Sequence, residues 1–169
     1  MATKWNLDPT HSEITFKVRH MMISNVKGEF NSFSAEIEAE DDSFKNAKVS
    51  ATINTDSIDT NNADRDAHLK SADFFNAEAN PTITFESTAF ADEITGNLTI
   101  NGVTKPVELE VEFGGINVDP WGNTKAGFTF EGKIKRSDFG LNWNAALETG
   151  GVLVSNDVKI AGELQFVKG

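Results

Sequence analysis

The 169-residue chain contains no cysteine, which excludes disulfides, thiolate nucleophiles and cysteine-ligated zinc together. Tyrosine is absent too, and 3 tryptophans stand beside 13 phenylalanines, so the aromatic content is almost wholly apolar. Such rings belong where water does not reach. Histidine is limited to His11, His20 and His68. Their separations match no local ligand motif, so neither a metal nor a cofactor is expected. Positive charge is scarce, with 15 Lys and Arg against 26 Asp and Glu for a net charge of −11. A surface of that sign repels nucleic acid, whose binding proteins need clustered cations, and keeps a protein soluble and off anionic membranes. No apolar run is long enough for a transmembrane helix, so no stable membrane insertion is expected.

Several motifs are missing as well. There is no Gly-x-Ser-x-Gly elbow, no phosphate-cradling loop and no dinucleotide fingerprint, so the chain is not expected to be an enzyme. No repeat and no Pro-, Ser- or Gly-rich stretch divides it, which predicts one domain over residues 1–169. The first residues, Met1 to Pro9, lack the apolar segment of a signal peptide. As written, the chain is expected in the cytoplasm; a secreted or periplasmic protein in processed form reads the same way.

What is present is period-2 alternation, the mark of strands with one dry face. Ile14, Phe16, Val18 and His20 share a face, as do Phe33, Ala35, Ile37 and Ala39, and then Val49, Ala51 and Ile53. Ile83 and Phe85 follow, then Ile94, Leu98 and Ile100. The pair Asn101-Gly102 signals a tight hairpin, because both residues tolerate positive φ. The returning strand carries Val107, Leu109, Val111 and Phe113. Two longer strands finish the chain, one with Ala126, Phe128, Phe130 and Ile134, the other with Val158, Ile160, Leu164 and Phe166. The pattern predicts about eight strands, a number whose closed barrel holds one small ligand.

One segment departs from the alternation. Across residues 62–71 an Asn precedes Asp64 and Asp66, and Lys70 falls near the end, which signals a short helix. It is too short to stand alone, so it must pack on the sheet, over one barrel end, with Phe74-Phe75 after it. The acidic run Glu36, Glu38, Glu40, Asp41 and Asp42 reads as the wet face and turn of a strand. His11 reads as a cap or hydrogen-bonding residue near the first strand, His68 as an exposed helix residue. His20 shares parity with Phe16 and Val18 and needs a partner or water. Small inward residues such as Ala35, Ala39, Ala51 and Ala126 alternate with large ones. Parity leaves both a filled and a hollow interior open.

Several segments, taken together and in order, resemble the YceI-like family of polyisoprenoid-binding proteins. They are Trp5 and Leu7-Asp8-Pro9-Thr10-His11-Ser12 with Phe16 and His20, Gly28 and Phe30, Ser57-Ile58-Asp59-Thr60, Arg65-Asp66-Ala67-His68-Leu69-Lys70-Ser71 with Asp73-Phe74-Phe75, Pro81-Thr82-Ile83-Thr84-Phe85, Gly96 to Val107, Asp119-Pro120-Trp121-Gly122, and Arg136-Ser137-Asp138-Phe139-Gly140-Leu141. The resemblance implies an all-β, eight-stranded antiparallel, lipocalin-like barrel with a helix near its mouth and an elongated apolar cavity. It also implies a carrier or store for a long-chain isoprenoid, an isoprenyl phosphate, or an acyl lipid such as a fatty acid or its amide, and a homodimer.

Binding of such a chain draws on removal of apolar area from water, at about 25 cal/mol per Å². The expected ligand wall is Phe16, Val18, Phe30, Ile53 and Phe85 from the first half of the chain. Leu98, Leu109, Phe128, Phe130 and Ile134 supply the second half. Arg65, His68 and His20 are the candidates for meeting a phosphate or other polar head, against a reading of Arg65 as the partner of a neighbouring carboxylate. Two rival readings stand beside this one. The first is a filled, structural barrel that acts through a protein partner; the second is an enzyme acting on such a lipid through His20 and a nearby acid.

Overall fold

The structure is a computed structural model that describes residues 3–20, 24–41, 43–71, 74–90, 93–140 and 154–169. Alternation produces strands where it is strongest. The first four are β1 (Thr3–Leu7), β2 (Glu13–His20), β3 (Ser24–Phe30) and β4 (Phe33–Ala39), followed by β5 (Lys48–Asn54) and the short β6 (Ile58–Asp59). After the helix α1 (Ala63–Lys70) come β7 (Thr82–Phe90), β8 (Glu93–Ile100), β9 (Val103–Val118), β10 (Thr124–Lys135) and β11 (Val154–Lys168). All pair antiparallel in the order β1-β4-β5-β7-β8-β9-β10-β11-β2-β3-β6, and a further β1–β11 pairing closes the ring.

Eleven strands form an eight-stranded closed barrel because three staves are each broken once. Strands β1 and β2 both run along β11, β1 against Phe166–Lys168 and β2 farther up, so they are two halves of one stave. Strands β3 and β4 continue each other in the same way, β3 beside β2 and β4 beside β1. So do β5 and β6, across a turn at Thr55–Ser57. Short breaks with local caps thus turn the expected eight strands into eleven pieces.

The break after β1 explains the Asp8-Pro9-Thr10-His11-Ser12 segment. Pro9 opens a single turn at Pro9–His11, and the Asp8 side chain caps it by accepting from the Thr10 N–H at 3.1 Å. Ser12 Oγ donates to the Asp8 carbonyl at 2.7 Å and accepts from the Gln165 N–H at 3.0 Å, which ties the break to β11. Asp8 Oδ2 lies 2.7 Å from Lys125 Nζ and 2.8 Å from His11 Nδ1, in a largely buried position. His11 therefore does hydrogen-bond beside the first strand. The Lys125 contact, then the Thr10 hydroxyl, hold the Asp8 carboxyl well below the usual carboxylate range.

A depressed folded-state pKa gives stability that is complete above the unfolded value. It is lost as pH falls below about 4 and on through the folded value. Asp8→Asn is expected to cost about 1–2 kcal/mol at neutral pH and to flatten the acid limb of a thermal-stability-versus-pH curve. An unchanged acid limb in that variant would show that the network carries no linkage.

The tight hairpin falls where expected, with Asn101 at φ 54° and Gly102 at φ 76° between β8 and β9. The helix also forms as expected. The Asn62 side chain accepts from the Arg65 N–H at 3.0 Å, Asp64 and Asp66 occupy the first turn, and Lys70 the last. Asp66 turns back to cap the chain before it, accepting from the Thr60 N–H at 2.8 Å.

The interior is not filled, and glycine is the reason. Gly28 stands directly opposite Phe16, and Gly162 opposite Phe130. At Gly162 a Cβ would fall 2.3 Å from Phe130 Cε1; at Gly28 it would fall 2.3 Å from Phe16 Cζ. Gly96 and Gly132 receive Phe85 and Leu109 in the same manner. With no Cβ to meet, these large side chains lie back across the neighbouring strand instead of projecting to the axis. One end of the barrel is solid all the same. There Trp5, Phe44, Phe90, Phe128 and Phe166 are all buried, with ring centroids 5.0 to 6.0 Å apart along the chain of contacts from Trp5 through Phe44 and Phe128.

Candidate functional site

Between that aromatic floor and the end carrying α1 lies a cavity of about 360 Å³. Its wall is built strand by strand from the inward positions. Phe16 and Val18 come from β2, Phe30 from β3, Ile53 from β5, and Phe85 from β7. Leu98 from β8, Leu109 from β9, and Phe128, Phe130 and Ile134 from β10 complete the circuit. The structure thus gathers these ten around one space, together with Arg65 and His68 of α1. The side chain of His20 lies outside the described residues; its backbone pairs with Ser24 and Val154 at the end of β2.

The helix reaches the cavity through its inner face. Arg65, His68 and Leu69 line it, and Phe74 and Phe75 follow from the next turn. His68, read from sequence as exposed, is half-buried. Its ring meets Phe74 edge-on at 5.1 Å between centroids. The correction has a simple cause: an eight-residue helix lying against a barrel end can keep only part of its circumference wet. Arg65 does not take up its alternative reading, as partner of a neighbouring carboxylate. Its side chain donates to Thr60 instead, Nε to Oγ1 at 2.8 Å and Nη2 to the backbone carbonyl at 2.7 Å. These two contacts fasten the helix to the end of β6 and fix the guanidinium's orientation.

Sequence reasoning missed several lining residues, and Arg136 matters most among them. It follows β10 and is 7% exposed, with its guanidinium carbon 6.0 Å from the centre of the Phe74 ring. Burial pulls its pKa below the ordinary arginine value; the group keeps its charge all the same. Parity contained the signal, since Arg136 continues the inward series Phe128, Phe130, Ile134. Phe33 and Phe90 were missed as wall, and Phe74 and Phe75 had been read only as an apolar pair.

Among the described lining residues the cationic or titratable groups are Arg65, His68 and Arg136, all at the helix end, and there is no carboxylate. In a chain with 26 acids no described lining residue is a carboxylate, and the cationic side chains stand at one end of an apolar chamber. A chamber of this kind takes an elongated apolar body, and its polar side chains Arg65, His68 and Arg136 stand at one end.

Comparisons with known proteins agree with this architecture. A YceI-like domain model matches residues 5–166. A UPF0312 protein of Staphylococcus epidermidis is 42% identical over 166 residues, 97% of each chain. Among solved structures, a Campylobacter jejuni YceI protein superposes with a TM-score of 0.77 at 35% identity, over 89% of this chain and 90% of that one. Burkholderia cenocepacia BcnA gives 0.80 at 24% identity, over 94% and 98%. The polyisoprenoid binding domain from Saccharophagus degradans gives 0.70 at 15% identity, over 98% of both. The last two likenesses concern the fold alone. With a matching model across nearly its whole length and close relatives of equal length, this chain belongs to the YceI-like family.

Proposed function

We propose that this protein binds a long-chain lipid, isoprenoid or acyl, within the barrel and carries or stores it, with the polar end of the lipid at Arg65, His68 and Arg136. The observation that carries the reading is the chamber itself: about 360 Å³ walled by apolar side chains, with cations at one end. The name of the Saccharophagus degradans domain, polyisoprenoid binding, points the same way. A hydrocarbon offers no hydrogen bonds, so affinity comes from apolar area withdrawn from water. Discrimination between hydrocarbons of similar girth is weak for the same reason. The role is binding rather than catalysis, a reading supported by the apolar wall and by the polyisoprenoid-binding neighbour.

The test is direct. Protein freshly purified from cells is extracted with organic solvent and the extract is weighed by mass spectrometry. A long-chain apolar species at near-stoichiometric amount is expected; a clean extract, with no gain of emission from an added apolar fluorophore, would overturn the reading.

A second measurement addresses the polar end. Arg136→Met keeps the length of the side chain and removes its donors. It is expected to weaken binding of a fourteen-carbon carboxylate about tenfold to a hundredfold, the worth of a charge-assisted hydrogen bond. Binding of the primary amide of the same chain should change far less. Equal losses for acid and amide would place the head group elsewhere.

A further inference from the structure

The floor of the cavity is a ring cluster, and its position along the barrel defines a length. Phe128 stands at its centre, with ring centroids 5.0 Å from Phe44, 5.1 Å from Phe113, 6.0 Å from Phe90 and 5.9 Å from Phe166. On the side away from the cavity Phe44 is itself backed by Trp5, 5.2 Å between centroids. Rings packed on several sides cannot yield to an incoming chain by a simple rotamer change. Just past the other end of the same strand stands Arg136, and both residues line the chamber.

The distance between them follows from strand geometry. Phe128 to Arg136 is eight residue steps. At about 3.4 Å per residue and a tilt of about 40° from the axis, that is roughly 20 Å along the barrel. A zigzag chain of ~1.5 Å single bonds advances about 1.25 Å per carbon, so roughly sixteen carbons fit in one extended pass. Volume gives a similar limit, because 360 Å³ at about 30 Å³ per water-sized group takes roughly twelve methylenes.

We propose that the Phe128 cluster is a length gauge, which makes a chain of about twelve to sixteen carbons, bound in a single extended pass with its head at Arg136, the preferred ligand class. This rests on the lipid-binding reading above and narrows it. In a longer chain the surplus carbons carry the head past Arg136 into water and add no affinity. Phe128 is then the residue that decides specificity for length, and Ile94, also buried on the wall toward this end, is the position where the floor can be raised.

The experiment is a titration of the purified, delipidated full-length protein with saturated fatty acids of eight to twenty carbons, each below its micellar concentration. For the wild type the dissociation constant is expected to fall about fourfold per added methylene and then to level off between about twelve and sixteen carbons. Phe128→Leu opens the floor and moves the break to longer chains. Ile94→Phe raises the floor and moves it to shorter ones, so the two variants shift it in opposite directions. Thermal melts and circular dichroism confirm that each is folded, and if one is not, the other still decides the matter. An unbroken gain through twenty carbons, or a break that neither folded variant moves, overturns the gauge and leaves lipid binding intact. Failure of every chain length to bind the wild type removes the lipid reading and the gauge with it.

Discussion

Gly162→Val is expected to lower the thermal midpoint by roughly 6–12 °C, the equivalent of about 3 kcal/mol for a domain of this size. Two clashes produce the loss. A Cβ at this position falls 2.3 Å from Phe130 Cε1 and 2.8 Å from the carbonyl oxygen of Glu13. The ring can swing away, but the carbonyl belongs to the neighbouring strand, where Gly162 is paired between Phe130 and Ile14. Backbone must therefore move, and the displaced ring has only the chamber to enter. Stability and ligand capacity fall together, which separates this mechanism from simple weakening of a strand. Differential scanning calorimetry and the titration of an apolar fluorophore read the two effects. A variant that loses stability yet binds as much fluorophore as the wild type would show that Phe130 does not depend on Gly162 to stay out of the cavity.

Trp5→Ala should cost more, about 4 kcal/mol from the lost apolar contacts and the void that replaces them, or roughly 8–16 °C. Trp5 is 1% exposed, packs its ring on Phe44 and lies 5.7 Å beneath the Lys168 ammonium. Phe44 adopts φ 59°, a left-handed backbone that a bulky residue takes only under constraint. Burial of its ring between Trp5 and Phe128 supplies that constraint. Removal of Trp5 therefore loosens two residues of the floor and also the β1 stave that closes the barrel on β11. A drop smaller than about 3 °C would mean that the closed end is held by the strand pairings alone. Hydrogen exchange over β1 and β11 then locates where closure resides.

Much of the wall was legible before any coordinates, because period-2 parity states which side chains share a face. Phe33 to Ala39, Ile94 to Ile100 and Phe128 to Ile134 alternate in sequence and are inward in the barrel. The helix was legible from Asn62 and the two acids after it, since capping is a local matter. The three broken staves were not. Whether β1 and β2 are two strands or one depends on both meeting β11, more than a hundred residues away. Arg136 escaped for a related reason: a charge just beyond a strand is wet unless another element covers it, and that cover, Phe74, comes from the segment after α1.

By itself the amino-acid order determined the all-β class, the inward faces, the hairpin at Asn101-Gly102 and the exclusion of cysteine chemistry, because each depends on residue identity and near neighbours. Only the tertiary structure decided that the barrel is hollow above and solid below. Phe130 beside Gly162 and Phe128 beside Phe44 are the same residue type on the same strand. One lies back because a distant strand offers it a bare backbone, and the other is held upright by rings from four other parts of the chain. Void or contact is a property of what stands opposite, and that is settled when the strands pair.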